Sequence, residues 1–263
     1  MMEHIALLVS ILGYLFSFGH TLFALGAGRF QPGRFNFIAM AIGAAGQGWY
    51  LAMRGAAEHS CPIGNLSEIL IFLSWSIALI YLVIGPSYRL SLMGAFTAPL
   101  VLVLQIIALL LPETRRIAPV TSNPWVETHA AVSLVAYGAF GLACVAGLMF
   151  LIQEGELKSR RPAPIFHYLP PISALSSAIL RLIWIGFSLL TMSFAAGLLA
   201  HLAVANAKFG FSTLIWALYA IILIGAKAGW LAGRRFAVAV SLTFLIALLL
   251  LPVIERLSTH STA

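Results

Sequence analysis

Apolar stretches long enough to cross a bilayer follow one another along almost the whole of this chain, and nothing else in the sequence constrains the fold as strongly. A transmembrane helix needs about 20 mostly apolar residues. Eight such runs stand at about 5–26, 36–54, 66–84, 90–111, 128–152, 180–204, 212–226 and 236–254, the seventh being the shortest. Turn residues or charges separate them. The runs are continuous and rich in Leu and Ala, whereas strands of a membrane barrel alternate apolar and polar residues over roughly ten positions. Continuous runs satisfy their backbone polar groups in hydrocarbon only as helices. Composition agrees: 9% of residues are charged, against about 25% in a soluble domain. The expected fold is all-α, a polytopic transmembrane bundle of about eight spans forming one membrane domain over residues 1–263. No repeat of the first half in the second and no low-complexity tail is visible. The first run follows Met1-Met2-Glu3-His4 without a basic segment and is too long for a signal core, so it reads as a retained helix.

Basic residues orient the bundle. Arg29, Arg34, Arg89, Lys158, Arg160, Arg161, Arg181, Lys227, Arg234 and Arg235 fall in or beside the odd-numbered connections. Arg54, Arg115, Arg116, Lys208 and Arg256 fall on the other side. Lys and Arg collect in cytoplasmic loops, so both termini are expected outside. The same bias explains the net charge of +7 without nucleic acid. The fifth connection is broken by Pro162, Pro164, Pro170 and Pro171, and Ile172 to Leu180 reads as a short interfacial helix before the sixth span. Cys61, in an outer loop, and Cys144, inside the fifth span, are placed too far apart for a bridge. Cys61 near His59 reads as a plain loop cysteine or as a ligand.

Polar groups within spans mark packing faces, cavities or function. Trp125 fits an interfacial anchor at the start of the fifth span. His129, Ser133 and Tyr137 follow at spacings of four, on one helical face. His129 admits two readings, an interhelical hydrogen bond or a ligand. Gly186, Leu190, Ser193, Gly197 and His201 form one stripe of the sixth span, a packing face with a histidine at its outer tip. His20 reads as a packed, hydrogen-bonded histidine. Asn65 and Glu68 form a capping-box arrangement opening the third span. Gln47 and Gln105 read as interhelical hydrogen-bonding residues. His4, His59, His129, His201 and His260 all map to the outer side, with His20 and His167 inside. Neutral imidazole is a common ligand of metals, heme iron included. All eight acids are Glu, so an Asp-based catalytic or metal site is excluded.

Several segments resemble a known family. Asn65-Leu-Ser-Glu-Ile-Leu-Ile-Phe-Leu-Ser-Trp75-Ser is similar to a third-span segment of the cytochrome c assembly family, the CcsA/HemX/YpjD-like membrane proteins. His129-Ala-Ala-Val-Ser133-Leu-Val-Ala-Tyr137 resembles its H-x-x-x-S-x-x-x-Y helix start. Leu169-Pro-Pro and Ile185-Gly186-Phe-Ser-Leu-Leu-Thr191 follow in family order, then Gly197, Trp216 and the stretch from Gly225 to Arg235. The resemblance covers roughly residues 60–260. In CcsA-type members it implies an outer Trp-rich loop between spans six and seven that presents heme, flanked by two outer histidines. His129 matches the first of these by motif, and His260 stands where the second is expected. The Trp-rich loop is missing: Ala203 to Gly210 contains no Trp. That departure points to the HemX/YpjD-like branch, which His201 and Lys208 also fit.

The resemblance implies a heme-handling membrane factor in cytochrome c biogenesis, in a bacterial inner membrane. His129, His201 and His260 are the expected heme-binding residues, with Trp125, Ser133 and Tyr137 supporting. Heme, transient or b-type, is the expected cofactor. Lipid, heme and other biogenesis proteins or a larger membrane complex are the expected partners. The chain is expected to have no enzymatic activity of its own. The alternative is a HemX-like regulatory or structural subunit, contacting its partner through the basic loop from Lys158 to Pro171. With no charge central in a span and no inverted repeat, a transporter reading finds no support.

Overall fold

A computed structural model describes residues 2–27, 34–85, 92–111, 123–158, 169–202 and 207–260. They form eight helices: α1 Met2–Gly26, α2 Arg34–Glu58, α3 Leu66–Ile84, α4 Met93–Leu110, α5 Pro124–Lys158, α6 Ile172–Leu199, α7 Ala207–Ala228 and α8 Gly233–His260. Seven of them are long and apolar enough to cross a membrane. The chain is thus a multi-pass membrane protein.

The exception is α2, whose mean hydropathy Gly, Ala and Gln lower. It has 25 residues, about 37 Å at the helical rise, enough for a hydrocarbon layer of about 30 Å. Its contacts with α1 run antiparallel along the full length. Arg54 lies 4.0 Å from Glu3, Tyr14 Oη donates to Gln47 Oε1 at 2.8 Å, and Asn36 meets Thr21 at the far end. Gly13 and Gly43 make the close approach possible, since a Cβ on Gly13 would stand 2.8 Å from the Gly43 nitrogen. The outward side of α2 carries Phe35, Ile38, Ile42 and Trp49, all exposed, as a lipid-facing helix requires.

α5 is the axis of the bundle, with 78% of its apolar stretch buried against 28–61% for the other spans. It packs most extensively on α6, and also on α3 and α8. Small residues on α5 admit its neighbours: a Cβ on Gly138 would strike Ser76 of α3 at 2.7 Å, and one on Gly141 would meet Ile77 at 2.9 Å.

Polar contacts gather alternate helix ends at one face. Arg54 Nη2 at the end of α2 donates to Glu68 Oε1 in the first turn of α3 at 2.9 Å, and Glu58 lies 3.1 Å away. Ser67 Oγ donates to the Ala108 carbonyl at the end of α4 at 2.8 Å. The Cys61 N–H donates to Glu127 Oε2 at the start of α5, at 3.3 Å. The starts of α1, α3 and α5 therefore share a face with the ends of α2 and α4, as up-and-down crossings demand.

Three expectations change. α6 is one helix from Ile172 to Leu199, with no separate interfacial segment; Leu175, Ile179 and Leu182 keep its buried side in register. α7 has 22 residues, not the short run expected. α5 reaches Lys158, past the apolar run. Among the described residues neither cysteine forms a disulfide, as expected. Pro162, Pro164, His167 and the arginines 29, 89, 115, 116, 160 and 161 lie outside the described residues, as do the side chains of Arg34, Lys208 and Arg256.

Candidate functional site

The start of α5 is set locally. Asn123 Oδ1 accepts the Trp125 N–H at 3.0 Å, and Pro124 occupies the first helical position, where a missing N–H costs nothing. Trp125 is exposed at the helix start, as an interfacial anchor is. From there the polar face of α5 turns inward. His129, Ser133 and Tyr137 are all buried, and each meets a serine on a neighbouring helix.

His129 Nδ1 lies 2.9 Å from the carbonyl oxygen of Ser193 on α6 and 2.8 Å from Ser193 Oγ. Ser193 Oγ donates to the His129 carbonyl at 2.8 Å and stands 2.6 Å from Ser133 Oγ. Tyr137 Oη donates to Ser212 Oγ of α7 at 3.2 Å. A carbonyl has no proton to give, so Nδ1 carries one. Ser193 spends its proton on the His129 carbonyl, and Ser133 then donates to Ser193. The Nδ1 proton and the hydroxyl protons of Ser193, Ser133 and Tyr137 each have an acceptor. The tautomer leaves Nε2 as the bare nitrogen, its lone pair available. The same assignment argues against reading Ser193 and His129 as a nucleophile–base pair, because the nitrogen facing the hydroxyl is already protonated.

Aromatic rings enclose the imidazole. Phe209 of α7 lies 5.3 Å away, centroid to centroid, and Phe194 of α6 stacks at 6.5 Å and 18°. Gly197 lets this happen: a Cβ there would stand 2.6 Å from the Phe209 ring and 3.1 Å from His129 Nδ1. His129 is only 6% exposed. From Phe194 the aromatic contacts continue to Trp216 and Phe187 between α6 and α7.

The other expected ligands are placed differently. His201 is exposed and follows the end of α6 with φ +55°. Its N–H donates to the Leu198 carbonyl, and the Leu202 N–H donates to Gly197, both at 3.0 Å. That is a Schellman ending with histidine in the left-handed position glycine usually takes. His59 ends α2 in the same way, at φ +51°. Among the described residues neither a hydrogen bond nor a ring contact joins His201 to His129. The helical rise from Ser193 puts His201 about 12 Å farther along α6. His260 is the last residue of α8, and its side chain lies outside the described set.

The sequence reading missed two things here. Ser193 was placed in a packing stripe, yet it holds His129 and Ser133 together; its spacing with Gly186 and Gly197 located the face but not the partner. Phe194 and Phe209 carried no signal, since aromatic residues are ordinary in spans. Asn65 was read correctly: its side chain accepts the Glu68 N–H at 2.9 Å. The Glu68 carboxylate accepts the Gly64 N–H at 2.8 Å and binds Arg54, a pairing no local pattern shows. Gln47 and Gln105 do bond between helices, to Tyr14 and Ser10.

Comparison with known proteins places these features in a family. Protein HemX of Brevibacillus brevis is 28% identical over 150 residues, 56% of this chain and 55% of that protein. The match thus takes in little more than half of that relative's length. Cytochrome c biogenesis protein CcsA of Synechococcus sp. is 28% identical over 254 residues, covering 70% of this chain and 71% of the relative. CcsA of Chlamydomonas reinhardtii is 26% identical over 215 residues, covering 74% and 58%. The pattern of the family described as Cytochrome C assembly protein matches residues 63–258, from the loop before α3 almost to the end of α8. That stretch contains the His129–Ser133–Tyr137 face and every helix packed on it, and the chain belongs to the cytochrome c assembly protein family.

Proposed function

We propose that this protein takes part in cytochrome c assembly as a heme-handling factor, with His129 as a residue that would hold the heme near the outer face of a bacterial inner membrane. The observation that carries the reading is the state of the imidazole. Its Nδ1 proton is held by a backbone carbonyl, the arrangement that fixes tautomer and ring orientation and raises the basicity of a metal-ligating histidine. Nε2 of His129 would hold a heme, whose iron would supply the Lewis acid. Ser133 and Ser193 hold the ring, and Tyr137 fastens the same face to α7. Trp125 anchors the helix start at the interface. His201 and His260 are the candidates for a second ligand. The excess of basic residues in the odd-numbered connections supports an outward His129 face. The chain itself needs no nucleophile for this task, and we propose that it is not an enzyme; other biogenesis proteins would supply thiol chemistry.

Because His129 is enclosed, ligation requires the rings of Phe194 and Phe209 to move aside. Titration of the purified protein with hemin tests the reading. Wild type is expected to develop a Soret band of a histidine-ligated heme, and His129→Ala to lose or shift it. An unchanged spectrum in the variant removes His129 as a ligand.

The enclosure also favours a second reading. A 6% exposed histidine bonded through Nδ1 to the neighbouring helix is what a structural cross-link between α5 and α6 looks like, as a HemX-like regulatory subunit would need. On that reading wild type shows no Soret band, and deleting the loop from Lys158 to Pro171 releases a bound partner in a pull-down.

A further inference from the structure

The end of the bundle opposite His129 carries a charge that this chain cannot neutralise. The ten basic residues of the odd-numbered connections stand against two carboxylates, Glu154 and Glu156. Glu154 is already held by Lys158 Nζ at 2.7 Å. The connecting residues 28–33, 86–91 and 159–168 include no acid. The turn between α7 and α8 concentrates the excess. A Cβ on Gly147 of α5 would stand 3.2 Å from the Ala237 carbonyl, and Ser241 Oγ donates to the Cys144 carbonyl at 3.5 Å. α8 therefore runs antiparallel to α5 and starts toward the end of α5. Lys227 lies in the last turn of α7, and Arg234 and Arg235 follow Gly233 in the first turn of α8. All three are exposed, and among the described residues none of them has a hydrogen bond or an ion pair. The turn is held in place. The Leu231 N–H donates to the Gly225 carbonyl at 3.1 Å, and Gly229 and Gly233 take φ of +81° and +55°. A Cβ on Gly225 would stand 2.8 Å from the Trp230 ring, so the indole lies against α7 and is still 56% exposed.

The bias of Lys and Arg toward one side of a membrane explains the sign of this charge. It does not explain the position on α8. The start of a helix is the positive end of its dipole, where acidic side chains are favoured and basic ones are not. α8 has two arginines in that turn and no acid. An anion seated at the turn reverses the conflict. Trp230 says which medium brings the anion. Ile221 and Ile224 are exposed on the side of α7 that leads to Gly225. The indole thus continues a lipid-facing surface to the level where both helices leave the hydrocarbon, the level at which tryptophan gathers. An acidic protein would reach the arginines from water and leave the indole uncovered. An anionic phospholipid covers both, with its phosphate on the guanidinium forks and its chains beside the indole.

We propose that the α7–α8 turn is a binding site for the headgroup of an anionic phospholipid, held by Arg234, Arg235 and Lys227 with Trp230 against the lipid. It does not depend on heme. The full chain in nanodiscs of mixed phosphatidylglycerol and phosphatidylcholine tests it, with bromine carried on one lipid or the other as a fluorescence quencher. The Trp230 signal is the difference between wild type and Trp230→Phe. Brominated phosphatidylglycerol should quench it more strongly than brominated phosphatidylcholine at the same mole fraction, and added salt should weaken the preference. The phosphatidylglycerol fraction that gives half of the quenching should rise about fivefold for each charge removed in Arg234→Gln and Arg235→Gln. Lys158→Gln, whose lysine is already paired with Glu154, should leave it unchanged. Equal quenching by the two lipids in wild type overturns the proposal without any charge variant. A loss in Lys158→Gln as large as in Arg234→Gln also overturns it, since the cause is then a diffuse field and not this turn. So does a preference abolished by inorganic phosphate but not by chloride at the same ionic strength, which marks a site for free phosphate.

Discussion

Gly197→Ala is the sharpest test of how α5, α6 and α7 meet at His129. The new methyl would stand 2.6 Å from Cε2 of Phe209, 3.2 Å from its Cδ2 and 3.1 Å from His129 Nδ1. Phe209 has little room to retreat, since it is 5% exposed and wedged between His129 at 5.3 Å and Phe194 at 5.5 Å. Overpacking of this kind costs about 1–3 kcal/mol. Replacing glycine in a helix returns about 0.5–1 kcal/mol of backbone entropy. The net expectation is a loss of about 1–2 kcal/mol. Gly19→Ala on α1 is the matched control: nothing lies within 4 Å of its Cβ position, so only the gain of about 0.5–1 kcal/mol applies. The two substitutions therefore differ in sign. Reversible unfolding in mixed detergent micelles, followed by circular dichroism, measures both. Equal stability of the two variants would refute the close packing of Gly197 on Phe209 and His129.

Further predictions concern the helix ends. Arg54→Met should cost about 2 kcal/mol, less than a fully buried pair, because it strands the Glu68 carboxylate, itself 2% exposed; adding Glu68→Gln should restore part of the loss in the same unfolding assay. Asn65→Ala should cost about 1 kcal/mol through loss of the cap on α3. His201→Gly should stabilise the protein by about 1 kcal/mol, since a left-handed residue with a side chain is strained. If His201 is also the second ligand on the His129 side, the same variant weakens hemin binding while raising the unfolding midpoint.

The helices were legible because lipid demands long apolar runs, and a run needs no partner to be recognised. The Asn65 cap was legible for the same reason: donor and acceptor lie three residues apart. The face of His129, Ser133 and Tyr137 followed from helical spacing, but its partners did not. Ser193 and Ser212 come from two other helices, and no periodicity within α5 specifies which hydroxyl on α6 reaches it. Arg54 and Glu68 likewise meet only because α2 and α3 are antiparallel neighbours. The ends of α5 and the unbroken start of α6 were misjudged because apolar content marks the lipid crossing, whereas packed helices extend past it wherever side chains still find neighbours. His201 hid the end of α6, since glycine is the usual sign of such an ending and histidine takes its place.

Heme handling through His129 requires a bare Nε2 on its ring while Ser193 holds the Nδ1 proton. Nitrogen NMR on protein labelled at histidine, with His129 identified through its alanine variant, tests this directly when diamagnetic zinc protoporphyrin is added. A protonated Nδ1 and an unprotonated Nε2 are expected before addition, and a shift of the Nε2 signal afterwards with the Nδ1 proton retained. A proton on Nε2, or a His129 spectrum indifferent to the porphyrin, would contradict it.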